Sequence, residues 1–182
     1  AVAQAEKASN SRIRNAFISV GGVGLDEMRS KGDAVNARAD AEITPQDLEK
    51  AENDSRLRIT SKLVNRHILH TIPLSFKIDG AQVMGRPQGM KGTKLEVENL
   101  FITCFEQHLQ DLVGAVEDAG IDVIDTMASP IAGSFVTVTK QQKMVGCVLA
   151  NIGAETVSIV VFEHGTPISL KVFPVGGNAV TN

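Results

Sequence analysis

Tryptophan and tyrosine are absent from the 182-residue sequence, and its only aromatic residues are seven phenylalanines. Proteins that bind nucleic acids usually stack bases on exposed aromatic rings and attract phosphates with a basic surface. Here 18 Lys and Arg residues stand against 21 Asp and Glu residues, which gives a formal net charge of −3. The composition therefore argues against nucleic-acid binding.

Cysteine is also scarce, and the two that are present, Cys104 and Cys147, each lie inside an apolar run. A free, buried thiol is the commonest state of such a residue, so we expect a reducing compartment. No apolar stretch approaches the roughly 18 residues that a membrane-spanning helix needs. The hydrophobic content of 43% is nevertheless ample for the packed core of a globular protein.

Three helices are predicted from local signals. The stretch ITPQDLEKA at 43–51 has a Thr to cap the helix, a Pro at the first helical position and an Asp at the third. Its apolar face would consist of Leu48, Ala51, Ser55 and Ile59. An apolar stripe between Leu109 and Val116, with Gly120 after it, predicts a second helix. The Ser-Pro pair at 129–130 predicts a third, which would fade near Thr139.

Strands are predicted from β-branched and apolar runs at 14–22, 67–72, 74–78, 94–103, 121–125 and three segments after Met144. The polar segment 23–41 predicts only an irregular strand around 33–37. Pro73 cannot donate a ladder hydrogen bond and so favours a sheet edge or a bend. His67 and His70 are three apart in a predicted strand, which would put them on opposite faces and argues against a shared metal.

The stretch VLANIGAETVSIVVF, residues 148–162, predicts two buried strands joined by a tight turn. Backbone N–H groups at the tip of such a hairpin form a concavity suited to an anion, and the Thr hydroxyl can donate one more hydrogen bond. Most hairpins that contain a glycine bind nothing, so an ordinary structural hairpin remains the alternative.

Several motifs resemble the FtsA family of bacterial cell-division proteins, which belongs to the actin, Hsp70 and sugar-kinase superfamily. HILHTIPLSFKIDG, RPQGMKG and KLEVENLFIT resemble its proline-bearing strand, DG turn, P-x-G-M-x-G loop and returning strand. ITPQDLEKA resembles the opening of a subdomain helix, NIGAETVSIVVF a second phosphate loop, and PVGGNAVTN a glycine–Asn–x–Val–Thr segment. The resemblance covers nearly the whole chain and is patchy from Val23 to Asp40.

This resemblance implies an α/β fold class: part of an actin-like ATPase fold, with an α+β inserted subdomain of the SHS2 type called 1C. Residues 1–20 would end subdomain 1A, and residues 21–104 would form subdomain 1C, an SHS2-like interaction module. Residues 105–143 would return to 1A, and residues 144–182 would begin 2A with the phosphate-binding hairpin. The chain opens within a helical pattern and stops just after a helix start at Asn178, so we expect a fragment of a longer protein.

The resemblance also implies that the full-length protein binds ATP with Mg²⁺ and that this fragment alone binds no cofactor. The implied nucleotide residues are Asn151, Gly153, Ala154, Glu155 and Thr156, and neither a catalytic residue nor a protein metal ligand is predicted. The superfamily usually has Asp where Asn151 stands; the neutral amide can bond a metal-bound water but adds no charge, so hydrolysis would suffer more than binding. Glu155 would weaken phosphate binding unless its carboxylate points away or meets the metal.

For function, the resemblance implies a cytoskeletal scaffold of cell division that is not an enzyme. It would link the FtsZ ring to the membrane and recruit later division proteins through subdomain 1C. Its partners would be FtsZ, other division proteins and further copies of itself in filaments. Membrane contact would come only from a C-terminal helix outside this sequence, at the cytoplasmic face of the inner membrane at the division site.

Candidate partner-binding residues are Arg86, Gln88, Met90 and Lys91 of the RPQGMKG loop, for which a solvated loop is the alternative interpretation. Two other functions stay open. A PilM-type pilus-assembly protein would share the subdomain plan but have a different partner. An active actin-like ATPase or sugar kinase is disfavoured by Asn151.

Overall fold

The computed structural model describes residues 2–181, which form nine strands and six α-helices. The strands are β1 (Asn15–Val20), β2 (Asp26–Val35), β3 (Arg66–Ile78), β4 (Ala81–Val83), β5 (Lys94–Phe105), β6 (Asp122–Ala128), β7 (Cys147–Ile152), β8 (Val157–Glu163) and β9 (Thr166–Phe173). The helices are α1 (Val2–Ser9), α2 (Pro45–Leu57), α3 (Glu106–Glu117), α4 (Ser129–Thr137), α5 (Lys140–Val145) and α6 (Asn178–Thr181). The chain is thus a mixed α/β structure, as predicted.

Three sheets organise the chain. β1 pairs with β6 in parallel, β2, β5, β3 and β4 form a four-stranded antiparallel sheet in that order, and β7, β8 and β9 form an antiparallel meander. None of the described helices is long and apolar enough to cross a membrane.

β2 is longer than the irregular strand predicted at 33–37, because it pairs with β5 from Asp26 to Val35. The strand lies at an edge of its sheet and is rich in polar residues, so its sequence lacks the apolar run on which the prediction relied. The ladder with the apolar strand β5 supplies the backbone hydrogen bonds that stabilise it.

α2 begins as the sequence predicts. The N–H and hydroxyl groups of Thr44 donate to Oδ2 of Asp47 at 2.9 and 2.8 Å, and Pro45 is the first helical residue. The helix ends at Leu57, so Ile59, which was predicted on its apolar face, lies beyond it but is still buried.

The two faces of β5 supply two apolar cores, because successive side chains of a strand point to opposite sides. Leu95 and Val97 pack under α2 in one cluster. Leu100, Ile102 and Cys104 belong to the other, which joins all three sheets to α3 and α4. Its buried members are Val20, Leu25, Leu100, Ile102, Cys104, Leu109, Ala128, Ile131 and Leu170. The four-stranded sheet therefore packs against the rest of the chain through half of one of its two faces, the half that contains Leu100, Ile102 and Cys104.

β3 runs as one strand through Pro73, and its register with β5 shifts between Pro73 and Ser75, close to the proline for which an edge or a bend was predicted. The register shifts again between Ile68 and His70, and the prediction that His67 and His70 lie on opposite faces is therefore wrong. His67 and His70 pair with residues two apart on β5, Cys104 and Ile102, so they face the same way.

The region after β6 differs in detail from the prediction. Ser129 is the first residue of α4 rather than its cap, and α4 ends at Thr137. Thr139 then caps α5, a six-residue helix that the sequence did not predict, by accepting a hydrogen bond from the N–H of Gln142 at 3.2 Å. Helices this short carry too little periodicity to be recognised.

Candidate functional site

The predicted hairpin is formed by β7 and β8, which pair from Cys147 opposite Phe162 to Ile152 opposite Val157. Gly153–Thr156 form the turn between them, closed by a hydrogen bond from the N–H of Gly153 to the carbonyl oxygen of Thr156 at 2.9 Å. The turn is exposed from Gly153 to Glu155, and Thr156 is half-buried. The candidate phosphate loop is therefore accessible at the end of a regular ladder.

Three successive N–H groups follow Gly153 at this tip, and Gly176 packs against that of Glu155, since a Cβ on Gly176 would lie 2.6 Å from its nitrogen. Among the described residues, no backbone carbonyl accepts the N–H groups of Ala154, Glu155 or Thr156. Successive free N–H groups in a turn attract anions, and the hydroxyl of Thr156 lies beside them in the chain. This arrangement suits a phosphate group.

The carbonyl side of the same turn is occupied by the segment that begins α6. The N–H of Gly177 donates to the carbonyl of Gly153 at 2.9 Å, and the N–H of Asn178 donates to that of Ala154 at 3.0 Å. A Cβ on Gly176 would lie 2.3 Å from the carbonyl oxygen of Ala154, so only glycine allows this approach. The PVGGN segment thus fixes the shape of the turn.

The carboxylate of Glu155 is engaged by Asn178, whose side-chain amide donates to Oε1 of Glu155. Sequence reasoning identified this carboxylate as a cost to phosphate binding unless it was directed elsewhere. The amide of Asn178 gives it a hydrogen-bond partner within the protein, which reduces that cost.

Asn151 lies on β7 opposite Ser158, is exposed, and offers a neutral amide oxygen near the turn. The described residues include no group of three or more His, Cys, Asp or Glu side chains placed to hold a metal ion. The hairpin therefore fits a phosphate through its N–H groups, whereas a cation there would depend on the phosphate and on water for its ligands.

The RPQGMKG loop is held rigidly against the segment before α2. The N–H of Gly89 donates to the carbonyl of Ile43 at 2.9 Å, and the N–H of Ile43 donates to that of Met90 at 2.8 Å. Gly92 bonds in the same way to Ala41 at 2.9 Å, and Pro87 is fully buried. The backbone of the loop is therefore fixed.

The start of β5 is fixed by Asp79, the Asp of the DG turn. Its carboxylate accepts hydrogen bonds from the hydroxyl of Thr93 at 2.7 Å and from the N–H of Lys94 at 2.8 Å. These hydrogen bonds, that from the Thr93 side chain first, hold the pKa of Asp79 below its ordinary value.

The fixed loop presents exposed side chains to solvent, among them all four candidate partner-binding residues, Arg86, Gln88, Met90 and Lys91. Arg86 and Lys91 make no ion pair within the described residues. Sequence reasoning missed Met84, whose side chain is 99% exposed just before the loop. In the sequence, Met84 is an apolar residue next to a glycine of a turn, and this pattern alone does not predict an exposed binding residue.

Each histidine of β3 has a partner of its own. Nδ1 of His67 lies 3.4 Å from Oε2 of Glu106, and Nε2 of His70 accepts a hydrogen bond from the N–H of Ala128 at 3.0 Å. Burial lowers the pKa of His70, although the charge of Asp125 opposes the shift. His70 therefore acts as a neutral hydrogen-bond acceptor.

In sequence, the chain is similar to FtsA cell-division proteins. The family model described as "SHS2 domain inserted in FTSA" matches residues 27–103. Cell division protein FtsA of Pseudomonas aeruginosa is 28% identical over the whole chain and is covered to 43% of its own length. FtsA of Bacillus subtilis is 30% identical over 98% of the chain, and the match covers 40% of that protein. FtsA of Escherichia coli is 26% identical over 100% of the chain, and the match covers 42% of that protein.

Among solved structures, the "PilM-PilN type IV pilus biogenesis complex" aligns with 99% of this chain and 49% of the matched chain, with a TM-score of 0.65. At 15% sequence identity this similarity shows the fold alone, and it confirms the predicted fold class, part of an actin-like fold with an inserted subdomain. The chain spans about two fifths of the length of its curated relatives. Residues 27–103 therefore match the SHS2 domain inserted in FtsA, and we name this region the SHS2 domain; the chain as a whole is similar to part of FtsA proteins.

Proposed function

We propose that the chain is part of an actin-like scaffold protein of bacterial cell division. The observation that carries this proposal is the alignment of FtsA proteins with the whole chain, the SHS2 domain included. In this role the protein links the FtsZ ring to the cytoplasmic face of the inner membrane at the division site, assembles with further copies of itself, and recruits later division proteins. The resemblance to the PilM–PilN complex does not favour a pilus role, because it reflects the fold alone.

Recruitment is assigned to the loop of the SHS2 domain, 84–91, which we name the docking loop. The second half of its backbone is held by hydrogen bonds of Gly89 and Met90 with Ile43, so that half loses little conformational entropy when a partner binds. Met84 and Met90 offer flexible apolar side chains that adapt to a partner surface. Arg86 and Lys91 add two cations without ion-pair partners among the described residues, which favour an acidic counterpart.

Pairwise binding assays between the 182-residue chain and purified FtsZ and later division proteins test this assignment. The chain is expected to bind at least one later division protein, and Arg86→Glu combined with Lys91→Glu is expected to weaken that binding about tenfold or more. The matched control is Lys50→Glu with Lys62→Glu, which changes the same charge at two exposed positions elsewhere in the domain. Equal binding by both double variants, with unchanged thermal melts, would remove the docking loop from the proposal.

A nucleotide role is proposed for the hairpin in the intact protein, with ATP and Mg²⁺. The N–H groups of Ala154, Glu155 and Thr156 and the hydroxyl of Thr156 would bind phosphate oxygens, and Asn151 would bond a metal-bound water. The N–H groups of the turn and the carboxylate of Glu155, which is bonded to Asn178, support this assignment. Hydrolysis is expected to be slow, because Asn151 adds no negative charge near the cation.

The intact protein tests the nucleotide role by calorimetry and by ATP turnover. Thr156→Ala should weaken ATP binding, and Asn151→Asp should raise turnover, because it restores a negative charge near the cation. Thr166→Ala is the matched control, because Thr166 begins β9 and pairs with Glu163 at the end of β8 that lies far from the hairpin turn. If Thr156→Ala left the affinity unaltered and Asn151→Asp left turnover unaltered, the hairpin would be purely structural. The 182-residue chain alone is expected to show no measurable ATP affinity, since an exposed turn makes too few contacts.

A further inference from the structure

The edge of β9 that faces away from β8 is covered by side chains of β2. Oε2 of Glu27 accepts the N–H of Leu170 at 2.7 Å, and Oε1 of Glu27 accepts the hydroxyl of Ser169 at 3.0 Å. The guanidinium of Arg29 donates to the carbonyl of Ile168 at 2.7 Å. Two side chains of the SHS2 domain thus bond three consecutive residues of the outer strand of another sheet.

The position of these side chains follows from strand geometry. Glu27 and Arg29 are alternate residues of β2 and therefore share a face of the sheet. The side chain of Glu27 is only 13% exposed, and Nζ of Lys171 lies 3.4 Å from its Oε1. A carboxylate that accepts from a backbone N–H, a hydroxyl and an ammonium group is held in one orientation by charge-assisted hydrogen bonds.

We propose that Glu27 and Arg29 form a brace that fixes the orientation of the SHS2 domain against β9. The apolar contact beside it, where Leu170 belongs to the same core cluster as Leu100 and Ile102, is non-directional and allows the two surfaces to slide. Hydrogen bonds to successive backbone groups of one strand allow a single register. The brace therefore selects one arrangement from those that the apolar contact permits.

The brace also connects the SHS2 domain to the candidate phosphate hairpin. β9 pairs along its length with β8, from Val157 opposite Phe173 to Glu163 opposite Thr166, and β8 begins directly after the turn at Gly153–Thr156. A change in the orientation of the SHS2 domain would thus bear on the sheet that ends in the hairpin. This consequence rests on the proposed function, whereas the brace itself does not.

Hydrogen exchange of the 182-residue chain tests the brace directly. In Glu27→Ala, the amide of Leu170 loses its acceptor, and its exchange should become about tenfold faster or more. The amide of Val161, within the β8–β9 ladder, should be unchanged. Glu98→Ala is the matched control, a carboxylate of the same sheet that makes no hydrogen bond to β9. Unchanged exchange at Leu170 in Glu27→Ala would overturn the proposal.

A distance measurement tests the orientation. Spin labels at the exposed positions Gln82 and Glu163, with Cys147 replaced by Ser, report the separation of the SHS2 domain from the β8–β9 turn. Glu27→Ala with Arg29→Ala should broaden the distance distribution or add a second population. The matched control, Lys31→Ala with Glu98→Ala, should keep it narrow.

A narrow, unshifted distribution in the brace variant would contradict the proposal. If that variant fails to fold, Glu27→Gln with Arg29→Lys retains the side-chain volumes and should give a smaller broadening in the same direction. Both measurements are made without nucleotide or partner. A negative result for the brace can therefore be told apart from a negative result for the proposed function.

Discussion

Asp47 combines a helix cap with an ion pair. Its carboxylate accepts two hydrogen bonds from Thr44 and contacts the guanidinium of Arg38. Burial alone would raise the pKa of Asp47, but the hydrogen bonds from Thr44 and the pairing with Arg38 outweigh it and hold the pKa below its ordinary value. The ionised carboxylate therefore stabilises the folded state.

Asp47→Asn should lower the free energy of unfolding by about 1–2 kcal/mol at neutral pH, because the cap is weakened and Arg38 loses its partner. The contribution of a carboxylate with a depressed pKa is complete above its ordinary pKa of about 4 and is lost as the pH falls through the folded value. The difference between the two proteins should therefore shrink on acidification. Urea unfolding at a series of pH values measures it.

Glu49→Gln, at an exposed position of the same helix, is the control and should have little effect at any pH. A loss in Asp47→Asn that stayed constant into the acid range would show that the charge of Asp47 contributes nothing.

Local spacing made the cap at Asp47 predictable, because Thr, Pro and Asp within four residues determine a helix start. The contacts of Arg38 with Asp47 and of Glu27 with Leu170 were not predicted, because the paired residues are 9 and 143 positions apart in the sequence. For the hairpin, the turn and the positions of its strands were predicted from the sequence, but β7, which was predicted to be buried, has no buried residue. The engagement of Glu155 by Asn178, 23 residues away, was not.

α2 lies unusually close to β2. A Cβ built on Gly32 would lie 2.1 Å from the carbonyl oxygen of Ala51 and 2.3 Å from the backbone nitrogen of Ser55. These are backbone atoms of the helix, which cannot rotate away as a flexible side chain can. The glycine therefore sets the depth at which the helix packs on its sheet.

Gly32→Ala should lower the free energy of unfolding by about 2–3 kcal/mol, because the helix must move away from the strand. Gly114→Ala is the matched comparison, since a Cβ in the middle of α3 meets no atom within 4 Å. There the same substitution should stabilise the chain by up to about 1 kcal/mol through helix propensity. Equal effects of the two substitutions, measured by thermal unfolding, would contradict this account of the packing.

Most elements could be predicted because their patterns are local, as for the alternation in β5 and the stripe of α3. β2 was largely missed because an edge strand with polar residues has no strong period. The bulge beside His70 could not be predicted either, since it depends on pairing with β5. Sequence periodicity describes an element alone, whereas these features arise from its neighbours.

The SHS2 domain is also joined to the parallel pair β1–β6, through His70. Nε2 of His70 accepts the N–H of Ala128, at the point where β6 passes into α4. Only the neutral ring can accept at this nitrogen. The contact between the two sheets therefore depends on the protonation state of His70.

Stability should decline as the pH falls below about 6.5, the ordinary pKa of histidine. Burial lowers the pKa of His70 in the folded state, so the unfolded state binds the proton first and is favoured by acid. His70→Gln should flatten this decline between pH 7 and pH 5, because the amide oxygen can accept the same hydrogen bond without titrating. In the control, His108→Gln at an exposed position of α3, the decline should persist. Equal slopes in both variants would contradict the role of His70.

How the three sheets pack together could not be derived from the periodicity of any segment, because the residues of the shared core are spread from Val20 to Leu170. Resemblance to a family, carried by the loop and hairpin motifs, supplied the expected fold class. The subdomain boundaries at 20, 104 and 143 remain predictions.

The proposed role in division is tested most directly by cell length after depletion of the intact protein in the organism that encodes it. The wild-type gene and the control, Lys50→Glu with Lys62→Glu, are expected to restore division at normal length. The docking-loop variant, Arg86→Glu with Lys91→Glu, is expected to leave long, undivided filaments although the protein is present at the normal level. Normal cell length after depletion, or full rescue by the docking-loop variant, would contradict a scaffold that acts in division through its SHS2 domain.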